Sequence, residues 1–154
     1  MTKLFSLRMS LFLVMGFVAG CANYGPAEIH YGEDQCDYCR MNIVDNAFGT
    51  EIVTSKGKIF KFDSIECLAA FVQTSIEEDI KSNSLWLTDF GSPGTFVRVD
   101  SATLVFSEEY NSPMGVGLVG FGSRSKARIF ASEKSGRVLS WEETCLLVAE
   151  RWKL

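Results

Sequence analysis

A short pattern occurs twice in this chain and limits how it can fold: Phe62-x-Ser64 followed by Phe71, and Phe121-x-Ser123 followed by Phe130, with the same separations. Each copy sits where an apolar extended run gives way to helical spacing. Upstream of the first, residues 50–54 and 58–62 are short strand-like runs split by Ser55-Lys56-Gly57, a hairpin signal. Downstream, Asp63 is the expected N-cap with Glu66 in the capping-box position, and Ile65, Leu68, Ala69, Val72 and Ile76 recur at helical spacing. Leu85-Trp86-Leu87-Thr88 reads as the next strand and Ser92-Pro93-Gly94 as a break. The second copy repeats the plan, with strands at residues 103–106 and 116–121, a helix capped by Ser123 and carrying Ala127, Phe130 and Ala131, and a strand at 137–139. Ser140 and Glu143 form a capping box for a last helix whose stripe is Trp141, Cys145, Val148, Ala149 and Trp152. The expected class is α+β: two similar small ββαβ units, residues 35–100 and 101–154, with helices packed on mainly antiparallel sheets.

Ahead of the repeat lies an address. Lys3 and Arg8 give a positive start, and residues 11–18 form an apolar core. That core is shorter than the roughly 20 residues a spanning helix needs. Residues 1–20 are therefore expected to be a signal peptide. Val18-Ala19-Gly20-Cys21 resembles the lipobox of bacterial lipoproteins, which implies lipidation at Cys21 and attachment at the periplasmic face of a membrane. Ala22 after the cysteine, where Asp is absent, points to the outer membrane. Residues 21–34, with Gly25, Pro26 and Gly32, are expected to be the lipidated cysteine and a flexible tether. A net charge of −4 with no cluster of Lys and Arg excludes nucleic acid as a partner, because phosphate neutralisation needs a basic face.

Sulfur carries the chemistry. Met1, Met9 and Met15 fall in the signal, which leaves Met41 and Met114, neither of them on a helical apolar stripe. Met41 ends Cys36-x-x-Cys39-x-Met41, and Met114 lies in the turn Ser112-Pro113-Met114-Gly115. The Cys36/Cys39 pair admits four readings. It is a redox pair, half of a zinc site without an evident second half, a disulfide, or, with Met41, a thiolate–thioether set of the soft kind that selects Cu(I). Alternation along an extended segment puts Cys39 and Met41 on one side, and Met114 supplies a third soft ligand. Cys36 and His30, the single histidine, are further candidate ligands. Cys67 and Cys145 sit on helices and suit core packing; Asp45, Asp63 and Asp100 suit turns and caps. With its one histidine in the expected tether, the chain offers a Ser-His-Asp hydrolase little to build on.

The three motifs in order, Cys36-x-x-Cys39-x-Met41, Phe62-Asp63-Ser64-Ile65-Glu66-Cys67 and Ser112-Pro113-Met114-Gly115, resemble those of NosL, the lipoprotein accessory factor of nitrous oxide reductase. The resemblance runs from about Glu33 to Phe130. It implies a periplasmic Cu(I) chaperone, not an enzyme, that supplies copper to apo nitrous oxide reductase together with an ABC-type membrane complex. It also implies two similar ββαβ units, akin to a domain of organomercurial lyase, and it implies Cys39, Met41 and Met114 as the copper ligands. Arg40 departs from the family, which usually has glycine there. Glycine permits φ > 0, so the arginine implies a loop that does not need that conformation or that is rebuilt. The runner-up is a periplasmic thiol–disulfide or lyase-like enzyme using Cys36 and Cys39, for which Met114 is dispensable.

Overall fold

A computed structural model describes residues 25–75, 80 and 84–154. The signal segment, Cys21, the first residues of the tether and Ile76 lie outside them. The elements are β1 (Thr50–Val53), β2 (Ile59–Phe62), α1 (Ile65–Thr74), β3 (Leu85–Thr88), β4 (Phe96–Arg98), β5 (Thr103–Phe106), β6 (Leu118–Phe121), α2 (Arg124–Glu133), β7 (Arg137–Leu139) and α3 (Trp141–Trp152).

Two antiparallel sheets follow the repeat. Their strand orders are β2-β1-β3-β4 and β6-β5-β7, so the first strand of each unit lies between its hairpin partner and the strand that returns after the helix. The hairpins match in register, with Thr50 opposite Phe62 and Thr103 opposite Phe121. Ser64 and Ser123 are both N-caps, each side chain accepting from the backbone N–H three residues on. The aromatic pairs match as well: Phe62 lies 5.0 Å from Phe71 and Phe121 lies 5.4 Å from Phe130, centroid to centroid. The expected α+β class is the observed one. Leu87 and Ile65 pack against Gly120, which joins the sheets through a residue with no side chain to hold them apart. The main core gathers Ile43, Ile52, Phe62, Leu68, Leu85, Leu87, Leu118 and Val148, and a second cluster is built on Phe48, Phe121 and the half-buried Phe90, Tyr110 and Phe130.

Four details differ from expectation. Ser64, not Asp63, caps α1, because Ser64 has the extended backbone of a cap and its Oγ receives the Cys67 N–H. Glu66 is thereby moved out of the capping-box position and is buried, accepting from Ser112 Oγ. The strand expected at 116–121 begins at Leu118, because Gly117 has φ +90°. Strand β4 is a short edge strand that a three-residue run does not announce. The segment expected to be a tether is packed from Ala27 onward: Ala27 N–H donates to Glu51 Oε2 at 2.8 Å, Ile29 is buried, and the Lys61 ammonium bonds Glu28 O and Asp34 Oδ2, each at 2.7 Å.

Glu51 in β1 carries a consequence for stability. Its Oε1 is buried without a partner among the described residues, and burial raises its carboxyl to about 7. A folded pKa above the ordinary 4.5 means that the folded state binds the proton more tightly than the unfolded chain. The associated stability is full below pH 4.5 and is lost as the pH rises through 7. Glu51→Gln is therefore expected to change little at pH 4 and to stabilise by about 3 kcal/mol at pH 9. Urea titrations across that range check it; equal differences at both ends contradict it.

Candidate metal centre

The chain 35–42 folds back on itself as a tight turn. Gln35 bridges Asn42, Cys36 N–H donates to Met41 O at 2.8 Å, and Arg40 N–H donates to Cys36 O at 3.0 Å. Asp37 fixes the turn to edge strand β2, its N–H donating to Lys61 O and its Oδ2 accepting from Lys61 N–H, both at 2.8 Å. Tyr38 stacks on Trp152 of α3, with centroids 5.9 Å apart. The turn is thus held on two sides before any ligand arrives.

Opposite it stands the N-terminus of α1. There Cys36, Cys39, Cys67 and Asp63 converge, with the three sulfurs and a carboxylate oxygen all within 4.8 Å of one another. Cys36 and Cys67 are fully buried and Cys39 is partly exposed; all three are free thiols. Cys39 Sγ lies 3.8 Å from Asp63 Oδ1. This is a soft donor set with one hard oxygen at its side.

The electrostatics of the three thiols differ. The Cys67 thiol and the backbone amides of Cys39, Asp63 and Tyr38 face the Cys36 sulfur and lower its pKa to about 6 against the opposing effect of burial. Cys67 is the donor of that pair, so it keeps its proton and its pKa rises. Cys39 is raised too, by burial first and by Cys36 and Asp63 after it, while the Met41 amide pulls the other way.

Arg40 corrects the expectation drawn from its side chain. Its φ is +65°, so the loop does use the left-handed conformation, and a residue with a Cβ adopts it. That backbone reversal also breaks the extended alternation that was to bring Cys39 and Met41 to one side. Cys39 turns inward to the cluster, while Met41 is 56% exposed. Arg40→Gly is expected to stabilise the fold by about 1 kcal/mol by removing the left-handed strain. Chemical denaturation reads this directly, and a loss of stability rules it out.

Of the expected cysteine and histidine ligands, Cys39 and the further candidate Cys36 lie in the cluster among the described residues. Met114 is half-buried against the main core, in the turn that Ser112 ties to Glu66, the neighbour of Cys67. His30 is exposed at the surface beside Asp34 and is not part of the cluster. Cys145 packs half-buried on α3, as its helical position suggested. Cys67 and Asp63, expected as a packing residue and a cap, are instead in the cluster. Their signal was a position: residues on either side of a helix cap face whatever lies at the helix N-terminus.

The sequence profile of the NosL family matches residues 26–145. Among solved structures, the copper chaperone NosL from Shewanella denitrificans superposes with a TM-score of 0.66 at 18% identity, covering 78% of this chain and 95% of that one. No curated protein matches.

Proposed function

From its membership of the NosL family we propose that this chain is a Cu(I) chaperone that carries copper rather than catalysing a reaction. The observation that supports this most is the convergence of three free thiols where the 36–41 turn meets the N-terminus of α1, with the partly exposed Cys39 among them. Thiolates and thioethers suit Cu(I) over hard cations. A donor reachable from solvent lets an acceptor attack the bound ion. Cys39 is the central ligand, and Met41 and Met114 are thioether ligands of the copper, as the family resemblance implies.

The same reading includes lipid attachment through Cys21 at the periplasmic face of the outer membrane. It also includes delivery to apo nitrous oxide reductase, with an ABC-type membrane complex as a further partner. The anchor keeps the carrier near the membrane, and the acidic chain has no affinity for nucleic acid. Under reducing conditions the protein is expected to take one Cu(I) from a chromophoric chelator and to restore the copper of apo nitrous oxide reductase in its presence. Failure to take up Cu(I) overturns the chaperone assignment; uptake without handover to that reductase overturns the choice of recipient.

A further inference from the structure

Helix α2 fully buries only Ala127 and turns another face to solvent. Two rows of residues four apart lie on that face, Arg124 with Arg128 and Ser125 with Ile129. All four are exposed, Ile129 by 58%. Among the described residues no carboxylate pairs with either arginine, although the chain as a whole carries a charge of −4. The neighbouring acids are engaged elsewhere: Asp89 accepts from Gly91 N–H at 2.9 Å, and Asp100 is paired with Arg98. Both arginines line an open cleft with Thr103 and the exposed Val138 of edge strand β7. Unpaired cations beside an exposed apolar side chain on one helix face suit an anionic surface with an apolar layer beneath it.

The place of this face in the fold points the same way. Gly25 is the first described residue, so Cys21 lies four residues upstream and at most ~14 Å away along an extended chain. Pro26 shares a cleft with Gly94 and Phe96. Gly91, in the same turn as Gly94, accepts from the Lys126 ammonium of α2. Just before the α2 cap, a Cβ on Gly122 would lie 3.0 Å from Val97 of β4. The chain's exit toward Cys21 and the N-terminal end of α2 therefore flank one turn, residues 91–95. Its exposed residues, Ser92, Pro93, Gly94 and Thr95, carry no charge.

We infer that α2 and the 91–95 turn are the membrane-facing side of the anchored protein, with Arg124 and Arg128 on the phosphates of anionic phospholipid and Ile129 among the headgroups. This rests on the reading that Cys21 is lipidated. So short a link leaves the domain no room to stand clear of the bilayer, and a surface beside Pro26 must meet the headgroups. Of the surfaces there, α2 has the charge and the protruding side chain that fit. A guanidinium presents paired N–H donors to phosphate oxygens, and its stem lies along apolar surface while the head stays in water. The acyl chains supply attachment and α2 supplies orientation. Each arginine near an anionic surface is worth about fivefold, which is too little to hold a free protein there but enough to choose which side of an anchored one faces it.

Photocrosslinking in the lipidated full chain, produced with its own signal, tests this. The photoreactive residue p-benzoylphenylalanine replaces Ile129 or, as a control, Leu146. Leu146 is 69% exposed on α3, but Glu142 and Glu150 stand four residues to either side of it. The protein is reconstituted into vesicles of phosphatidylcholine alone or mixed with phosphatidylglycerol. Lipid adducts are expected at position 129, mainly on the anionic vesicles, and not at position 146. Arg124→Gln with Arg128→Gln is expected to lower the yield at 129 by about tenfold or more. Equal yields at 129 and 146, equal yields on the two kinds of vesicle, or an unchanged yield in the double variant overturn the inference. Adducts to a second copy of the protein in place of lipid overturn it too, and assign α2 to self-association. The mass of the product keeps the two readings apart. A chain without acyl groups at Cys21 overturns the anchor and this inference with it, whereas a lipidated chain without lipid adducts at 129 overturns the inference alone.

Discussion

Cys39→Ser is expected to lower Cu(I) affinity by more than about 100-fold, while Cys145→Ser leaves it unchanged. On the proposed function Cys39 is the central ligand of the copper, so its loss removes the thiolate of the site. A serine hydroxyl is a hard, protonated oxygen and does not replace a soft thiolate for Cu(I). Cys145 is a free thiol on α3 outside the cluster, and it controls for the loss of a cysteine as such. The fold should survive Cys39→Ser, because the residue is only partly buried and the turn is held by backbone bonds and Asp37. Competition with a chromophoric chelator measures the affinity, and equal affinities for the two variants contradict the assignment.

Gly117→Ala is expected to cost about 4 kcal/mol, combining left-handed strain with overpacking. Gly117 has φ +90°, and a Cβ there collides with the Ser107 carbonyl oxygen and comes 2.8 Å from that of Tyr110. Both obstacles are backbone and do not swing aside. The residue also donates its N–H to Ser112 Oγ at 2.8 Å and accepts from Ser107 N–H at 3.0 Å, so displacing it disturbs the hydroxyl that binds Glu66. Gly115→Ala makes the comparison. Its φ is +79° but no atom of the described residues lies within 4 Å of the added methyl, so it carries strain alone, about 1 kcal/mol. Urea unfolding of the pair separates the two terms, and equal losses exclude the collision.

What could be read from the chain was what neighbours in sequence determine. The Ser123 cap, the Ser140–Glu143 capping box and the strands at 85–88, 103–106 and 137–139 are local events, and each is present. The recurrence of Phe and Ser at fixed separations gave the two-unit plan, because each phenylalanine pair must meet across its own strand and helix. The cluster of Cys36, Cys39, Asp63 and Cys67 was only half legible. Cys36 and Cys39 are neighbours and drew attention, but Cys67 lies about thirty residues on, and only folding brings it to them. Asp63 was misassigned because a carboxylate before a helix so often caps it, and Ser64 does that work here. Arg40 was misread for a different reason. A side chain reports a preference, and the surrounding hydrogen bonds of the 36–41 turn override it.

The two copies of the unit also differ at one telling pair of positions. Where the first has Asp63 and Cys67 flanking its cap, the second has Gly122 and Lys126, and the Lys126 ammonium bonds the Gly91 carbonyl of the first unit at 2.9 Å. The same location on two copies of one shape differs in kind: in one it belongs to the cysteine cluster, and in the other it grips its twin. A duplicated fold can in this way divide labour, since a mutation that spoils the grip on one partner leaves the other intact. Transplanting an acid and a thiol onto positions 122 and 126 would accordingly cost the molecule a brace between its halves, which gives a mechanical reason for the second unit to keep a lysine where the first has a thiol.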